Sequence, residues 1–195
     1  MRIAAVILAA GQSSRFNGCK QLAKINGRTL LELSINTLKR TDIDDCFVIT
    51  GRWHQQISEF IQRNNHKAQL LFNPNWQAGI GNSIAFAVTT LAQDYDAILI
   101  ALADQVAITQ QNYQQLLDKF AIQQQDIVCA NYQNTRGVPA VFSEKTFAQL
   151  SSLDGDKGAK KLLYSSEFCI VDCPLESAAI DIDTQEQLDN FTKGL

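Results

Sequence analysis

The sequence has no apolar run approaching the ~20 residues that a helix needs to cross a bilayer, so no membrane span is expected. Ile3–Ala10, after Met1-Arg2, superficially resembles a secretory leader. Its direct entry into a glycine turn reads instead as a buried first strand. Cysteines number five, an odd count, and none forms a CxxC pair. Cys169 and Cys173 stand four apart with no histidine nearby to complete a zinc site, which excludes a zinc module and a disulfide framework. The cysteines read as small core residues, apart from Cys19 in a polar loop. Without a leader or disulfides, a reducing cytoplasm is the expected compartment. Histidine is scarcer still: His54 and His66 fall outside every motif, so imidazole catalysis is not expected. Neither GxxxxGK[ST] nor GxGxxG occurs, which excludes a P-loop and the dinucleotide fingerprint. A net charge of −3 argues against a general nucleic-acid binder. No repeat, linker or low-complexity segment divides the 195 residues, so a single domain spanning 1–195 is expected.

What is present has a pronounced polarity. Residues 1–40 carry seven basic side chains against Glu32, a local +6, while the remainder carries −9. A positive front end on a negative protein suggests a local site for a polyanion. Short β-branched runs alternate with amphipathic stretches. Strands are expected at Ile3–Leu8, Cys46–Thr50, Gln69–Phe72, Ala97–Leu102, Ile127–Ala130, Pro139–Phe142 and Phe168–Val171. Helices are expected at Thr29–Leu38, His54–Asn64, Ile80–Leu91, Asn112–Gln123, Ser143–Leu150, Gly158–Tyr164 and Gln185–Phe191, the last with Thr184 and Gln187 as a capping box. This alternation predicts an α/β, Rossmann-like three-layer sandwich with a mainly parallel sheet. Ligands in such folds sit beyond the carboxyl ends of strands, here the loops after Leu8 and Leu102.

Three segments carry chemistry. In Leu8-Ala9-Ala10-Gly11-Gln12-Ser13-Ser14-Arg15-Phe16-Asn17-Gly18-Cys19-Lys20, a strand turns through glycine and then presents two cations. Gly11 lets backbone amides approach a phosphate, Arg15 offers a forked donor and Lys20 a compact charge. The apolar strand Ala97–Leu102 runs into Ala103-Asp104-Gln105, placing a carboxylate where a parallel sheet keeps its site; Asp104 serves as metal ligand or turn former. In Ile180-Asp181-Ile182-Asp183-Thr184, alternation puts Asp181 and Asp183 on one face, where they flank a cation or cap a helix. Between them, Asn73-Pro74-Asn75-Trp76-Gln77-Ala78-Gly79-Ile80-Gly81-Asn82-Ser83 leads into a glycine-rich helix start.

Together with Arg136-Gly137-x-Pro139-x-x-Phe142 and Gly155-Asp156-Lys157-Gly158-Ala159, these segments resemble the MobA-like nucleotidyltransferases. Within that family the order of motifs is most similar to the molybdenum cofactor cytidylyltransferases. The resemblance implies the nucleotide-diphospho-sugar transferase type of sandwich and a reaction that moves CMP from CTP to a molybdopterin-type acceptor, releasing pyrophosphate. It implies Lys20, Arg15 and Asp104 as catalytic residues. Ala9, Ala10, Gly11, Arg15, Lys20, Gly79 and Ser83 would bind the nucleotide. Asp104, Asp183 and Asp181 would surround Mg2+, with Mn2+ as a substitute. CTP-using members tend to read LAAG, as Leu8–Gly11 does, and guanylyl-transferring relatives LAGG. A cytoplasmic enzyme without nucleic-acid or membrane partners is expected from the composition, and the resemblance adds a transient contact with a molybdoenzyme or its chaperone. The sequence departs from the usual pattern at Asn17, Val106 and Val138, where relatives tend to carry Gly, Pro and His. Another nucleotide, a sugar-phosphate acceptor, or a non-catalytic nucleotide- or cofactor-binding role are the alternatives that the residues leave open.

Overall fold

A computed structural model describes residues 1–64, 66–123 and 125–194. Among the described residues nine strands form, in chain order: β1 (Ile3–Ala9), β2 (Lys24–Ile25), β3 (Arg28–Thr29), β4 (Asp45–Thr50), β5 (Gln69–Phe72), β6 (Ala97–Leu102), β7 (Ile127–Tyr132), β8 (Thr135–Ser143) and β9 (Ile170–Pro174). The α-helices are α1 (Leu30–Leu38), α2 (His54–Arg63), α3 (Ile80–Leu91), α4 (Gln110–Gln123), α5 (Phe147–Ser151) and α6 (Gln185–Lys193). Seven strands make one sheet in the order β5-β4-β1-β6-β8-β7-β9, and β8 alone runs against its neighbours. The expected mainly parallel α/β sandwich is the fold observed.

β1 is an interior strand between β4 and β6 and is buried along its whole length, as its unbroken apolar sequence requires of a strand covered on both faces. Ile3, Ala5, Ile7 and Ala9 pack into the layer built from α1, α2 and α4. Ala4, Val6, Leu8 and Ala10 pack against α3 and α5. The period of two thus assigns adjacent alanines at the strand end to opposite faces. A smaller cluster of Phe16, Ile25, Leu30, Ile182 and Leu188 draws the loop after β1, the β2–β3 hairpin, α1 and α6 together.

Most expected elements fall within a few residues of those observed, and the differences have local causes. β8 begins at Thr135 rather than Pro139 because Gln133 and Asn134, at φ 49° and 58°, close a tight hairpin with β7. β9 is displaced toward Pro174 because its charged residue, Asp172, is paired: Arg136 donates Nε to Oδ1 at 2.7 Å and Nη2 to Oδ2 at 3.2 Å. Residues 144–146 form a 3-10 turn before α5, and Gly158–Tyr164 is 3-10 rather than α-helical. The β2–β3 hairpin, turning on Asn26-Gly27 at φ 49° and 83°, was not expected. Thr184 caps α6 in a capping box with Gln187, as read from the sequence. No helix among the described residues is long and apolar enough to cross a membrane.

Candidate active site

At the carboxyl edge of the sheet, β1 pairs with β4 through Ala9–Thr50 and with β6 through Leu8–Leu102, so the loops after these three strands emerge together. They border a cleft of about 450 Å3, within the usual range for a small-molecule site. Gly11 to Arg15 and Lys20 form one wall, Gly79, Ile80 and Ser83 another, and Asp104, Asp156 and Asp183 complete the rim. A Cβ on Gly11 would meet no atom within 4 Å and would project into open space, so its absence keeps the backbone accessible.

The loop after Gly11 is held by tight turns. Ser13 and Asn17 adopt φ values of 54° and 56°, and Phe16 N–H donates to the Ser13 carbonyl at 2.9 Å. Asn17 therefore supplies the left-handed conformation that a glycine would take readily. Buried Gln21 ties the loop back on itself. It donates to the Ala9 carbonyl at 3.4 Å, and its own oxygen accepts from Ser13 Oγ and Cys19 Sγ, each at 3.4 Å. Burial pushes the Cys19 thiol up to about 11, which leaves it protonated at neutral pH.

The central contact joins three distant parts of the chain. Lys20 Nζ donates to Asp104 Oδ2 at 2.5 Å and to Asp183 Oδ1 at 2.8 Å, and Arg15 pairs with Asp183 Oδ2 at 2.7 Å. Burial opposes the charge on Lys20, but the adjacent charge and hydrogen bond of Asp104, then those of Asp183, raise its pKa above the ordinary lysine value. Burial likewise opposes ionisation of Asp183, yet Lys20 and then Arg15 hold its carboxyl below the usual range. Asp104 Oδ1 is buried with no hydrogen-bond partner among the described residues. Ile182 sits in the cluster containing Phe16, and its N–H donates to the Asp104 carbonyl at 3.1 Å, which fixes the position of Asp183.

The expected site residues divide accordingly. Gly11, Arg15, Lys20, Asp104 and Asp183 converge on the cleft, and Ala10, Gly79 and Ser83 line it. Ala9 does not: its side chain is buried in the layer on the opposite face. Asp181 is exposed beside Asp183; partial desolvation of its carboxylate, then repulsion from Asp183 and Asp104, raises its pKa. No group of three or more His, Cys, Asp or Glu side chains among the described residues is placed to share a metal; Asp104 and Asp183 are the two carboxylates that meet at Lys20. Two hard oxygen donors, one with a buried and unpartnered atom, suit a divalent cation that also binds phosphate oxygens.

Several contributors had weaker sequence signals. A Cβ on Gly51 would lie 2.5 Å from the Ala10 carbonyl and from Trp76 Cβ, so this glycine lets β4 end against the cleft. Gly79 takes φ 102°, and a Cβ there would lie 2.5 Å from Asp156 Oδ1 and the Gly155 carbonyl. Gly81 N–H donates to that same carbonyl at 2.8 Å, so the two glycine-rich motifs form one wall. Ser83 Oγ accepts from buried Asn73 at 3.3 Å. His54 bonds Thr50 and does not line the cleft. Arg136 is engaged with Asp172 and the Leu163 carbonyl and serves the sheet.

Comparison with known proteins identifies relatives along most of the chain. The chain is 28% identical to "Nicotine blue oxidoreductase" of Paenarthrobacter nicotinovorans, over 95% of this chain and 94% of that protein. It is 26% identical to "Purine catabolism protein PucB" of Bacillus subtilis, over 97% and 96% of the two chains. The crystal structure of Rv0371c from Mycobacterium tuberculosis in complex with manganese superposes with a TM-score of 0.81, covering 100% of both chains at 21% identity. A match over residues 5–169, containing the glycine loop, Lys20 and Asp104, establishes that the chain belongs to the MobA-like NTP transferase domain family.

Proposed function

We propose that this chain is a cytoplasmic single-domain nucleotidyltransferase that moves CMP from CTP to a molybdopterin-type phosphorylated acceptor. The observation that carries the reading is the convergence of Lys20, Asp104 and Asp183 beside a glycine loop in a cleft of about 450 Å3. Family membership supports the transferase chemistry, and the LAAG sequence supports CTP. The motif order supports the pterin acceptor.

In the proposed reaction, an oxygen of the acceptor's terminal phosphate attacks the α-phosphorus of the nucleotide. A new phosphoanhydride bond forms, the α–β bond breaks, and its electron pair leaves with pyrophosphate. The attacking phosphate is already ionised, so no strong general base is needed. The absence of histidine from the cleft lining is consistent with this. Arg15 and the amides after Gly11 orient the triphosphate, and Lys20 offsets charge building at the α-phosphate. Asp104 and Asp183 would hold Mg2+ or Mn2+, which supplies charge neutralisation on the phosphates. Ala10, Gly79 and Ser83 flank the base.

A pyrophosphate-release assay crossing the four nucleoside triphosphates with molybdenum-loaded pterin, metal-free pterin and sugar phosphates tests this proposal. Release dependent on CTP and a pterin acceptor is expected. Release with sugar phosphates alone would reassign the acceptor, and no release with any pair would remove the catalytic reading.

A further inference from the structure

Gln105 stands beside the site, lines no part of the cleft, and is 4% exposed. Its Nε2 donates to the Val138 carbonyl at 2.9 Å and to the Ala178 carbonyl at 2.9 Å. Both acceptors are main-chain oxygens, and the two hydrogens of one uncharged amide NH2 satisfy both at once. The bonds tie the loop bearing Asp104 to β8 on one side and to the segment leading into Asp181 and Asp183 on the other. Ile182 N–H, which donates to the Asp104 carbonyl, closes the same ring from the far side. Ser34 Oγ, from α1, reaches the neighbouring Ala103 carbonyl at 3.4 Å.

The other half of the Gln105 amide, Oε1, is buried without a hydrogen bond among the described residues. An amide oxygen buried without a partner costs stability, so what this side chain contributes lies in the two bonds that its nitrogen makes. Swapping the amide oxygen and nitrogen does not help, because the oxygen would then face two carbonyls. The arrangement suits a group whose task is geometric.

We propose that Gln105 is a positioning residue that sets the spacing between the Asp104 and Asp183 carboxylates. It acts through the backbone of both loops, without touching nucleotide, acceptor or cation. This deepens the nucleotidyltransferase reading and rests on it for the assignment of the two carboxylates. Residues that orient metal-binding side chains typically alter metal affinity by about 10- to 100-fold when changed.

The test compares Gln105→Met, close in volume but without donors, with Thr146→Val. Thr146 is fully buried and donates to the Ser143 carbonyl at 2.7 Å, at the opposite end of the sheet. Mn2+ affinity is measured by electron paramagnetic resonance with a non-hydrolysable CTP analogue present, alongside melting temperature and nucleotide affinity. Gln105→Met is expected to weaken Mn2+ binding about tenfold while CTP-analogue affinity without metal stays within about threefold. Thr146→Val should lower the melting temperature and leave Mn2+ affinity unchanged. Should the Met variant not fold, Gln105→Asn, which keeps the amide but falls short of one carbonyl, is expected to show the same loss. Mn2+ affinity in the folded variant equal to that of wild type would overturn the proposal. These binding measurements stand apart from turnover, so failure of the transferase reading shows separately as wild-type protein releasing no pyrophosphate.

Discussion

Replacing Lys20 with methionine removes the amine shared by Asp104 and Asp183. The lysine side chain is 12% exposed, and the two carboxylates are 20% and 21% exposed, so solvent screens the contact only partly. Opposite charges at about 4 Å interact by ~4 kcal/mol at an effective dielectric near 20, which sets the scale for an amine at these distances. On the proposed reaction, the charge that builds at the α-phosphate would concentrate beside Lys20. We therefore expect kcat to fall ~100- to 1,000-fold, equivalent to ~2.7–4 kcal/mol, as on removal of a preorganised oxyanion donor. KM for the nucleotide should change by less than about tenfold. The folded state should also weaken by ~1–3 kcal/mol. Breaking a fully buried pair costs ~3–5 kcal/mol, and here Arg15 remains on Asp183 at 2.7 Å. Because the amine no longer competes for the two carboxylates, Mn2+ should raise the variant's melting temperature more than that of wild type. Steady-state pyrophosphate release, with kcat and KM resolved separately, and thermal unfolding with and without Mn2+ read these effects. Near-native kcat, or a loss confined to KM, would refute the placement of Lys20 at the reacting phosphate.

Asp104→Asn, nearly isosteric, should abolish metal-dependent turnover with little change in fold; unchanged metal dependence on titration would move the cation elsewhere. Ala10→Gly should narrow the preference for CTP over GTP, because one methyl in a packed pocket is typically worth ~1–3 kcal/mol; equal kcat/KM for the two nucleotides in wild type would reduce Ala10 to packing. Asp181 has a raised folded-state pKa, so its ionised form opposes folding above the ordinary carboxylate value and the penalty fades as pH falls. Asp181→Asn should accordingly stabilise the protein at neutral pH by less than ~1 kcal/mol after solvent screening, and by nothing in acid; a stability gain independent of pH would contradict that sign. Gly79→Ala should cost ~1–3 kcal/mol, since φ 102° is strained for a side chain and its Cβ would meet Gly155; an unchanged melting temperature would contradict this.

The strands and helices were legible wherever apolar periodicity was sustained, as in β1, β6 and α3. It failed where pairing depended on a distant partner. Asp172 read as the end of a strand because nothing in its neighbourhood announces Arg136, 36 positions earlier. Lys20, Asp104 and Asp183 were legible as candidates because Lys20 follows a glycine turn, Asp104 ends an apolar strand and Asp183 opens the last helix. Their convergence was not, since it depends on Phe16 and Ile182 sharing a cluster and on the Ile182–Asp104 backbone bond. Ala9 and Ala10 looked equivalent in sequence, but the strand period sends one into the core and the other to the cleft. Gly51 and Gln21 carry no motif of their own. Their importance comes from the close approach of Trp76 and from three weak bonds within one loop.

The most direct measurement follows the fate of the α-phosphate. With α-32P-labelled CTP, a divalent cation and a molybdopterin-type acceptor, the label should pass to the acceptor with one pyrophosphate released for each label transferred. Both should fall together in Lys20→Met and Asp104→Asn. Label retained in free nucleotide while the acceptor is consumed, or pyrophosphate released without labelled acceptor, would contradict nucleotidyl transfer at this cleft.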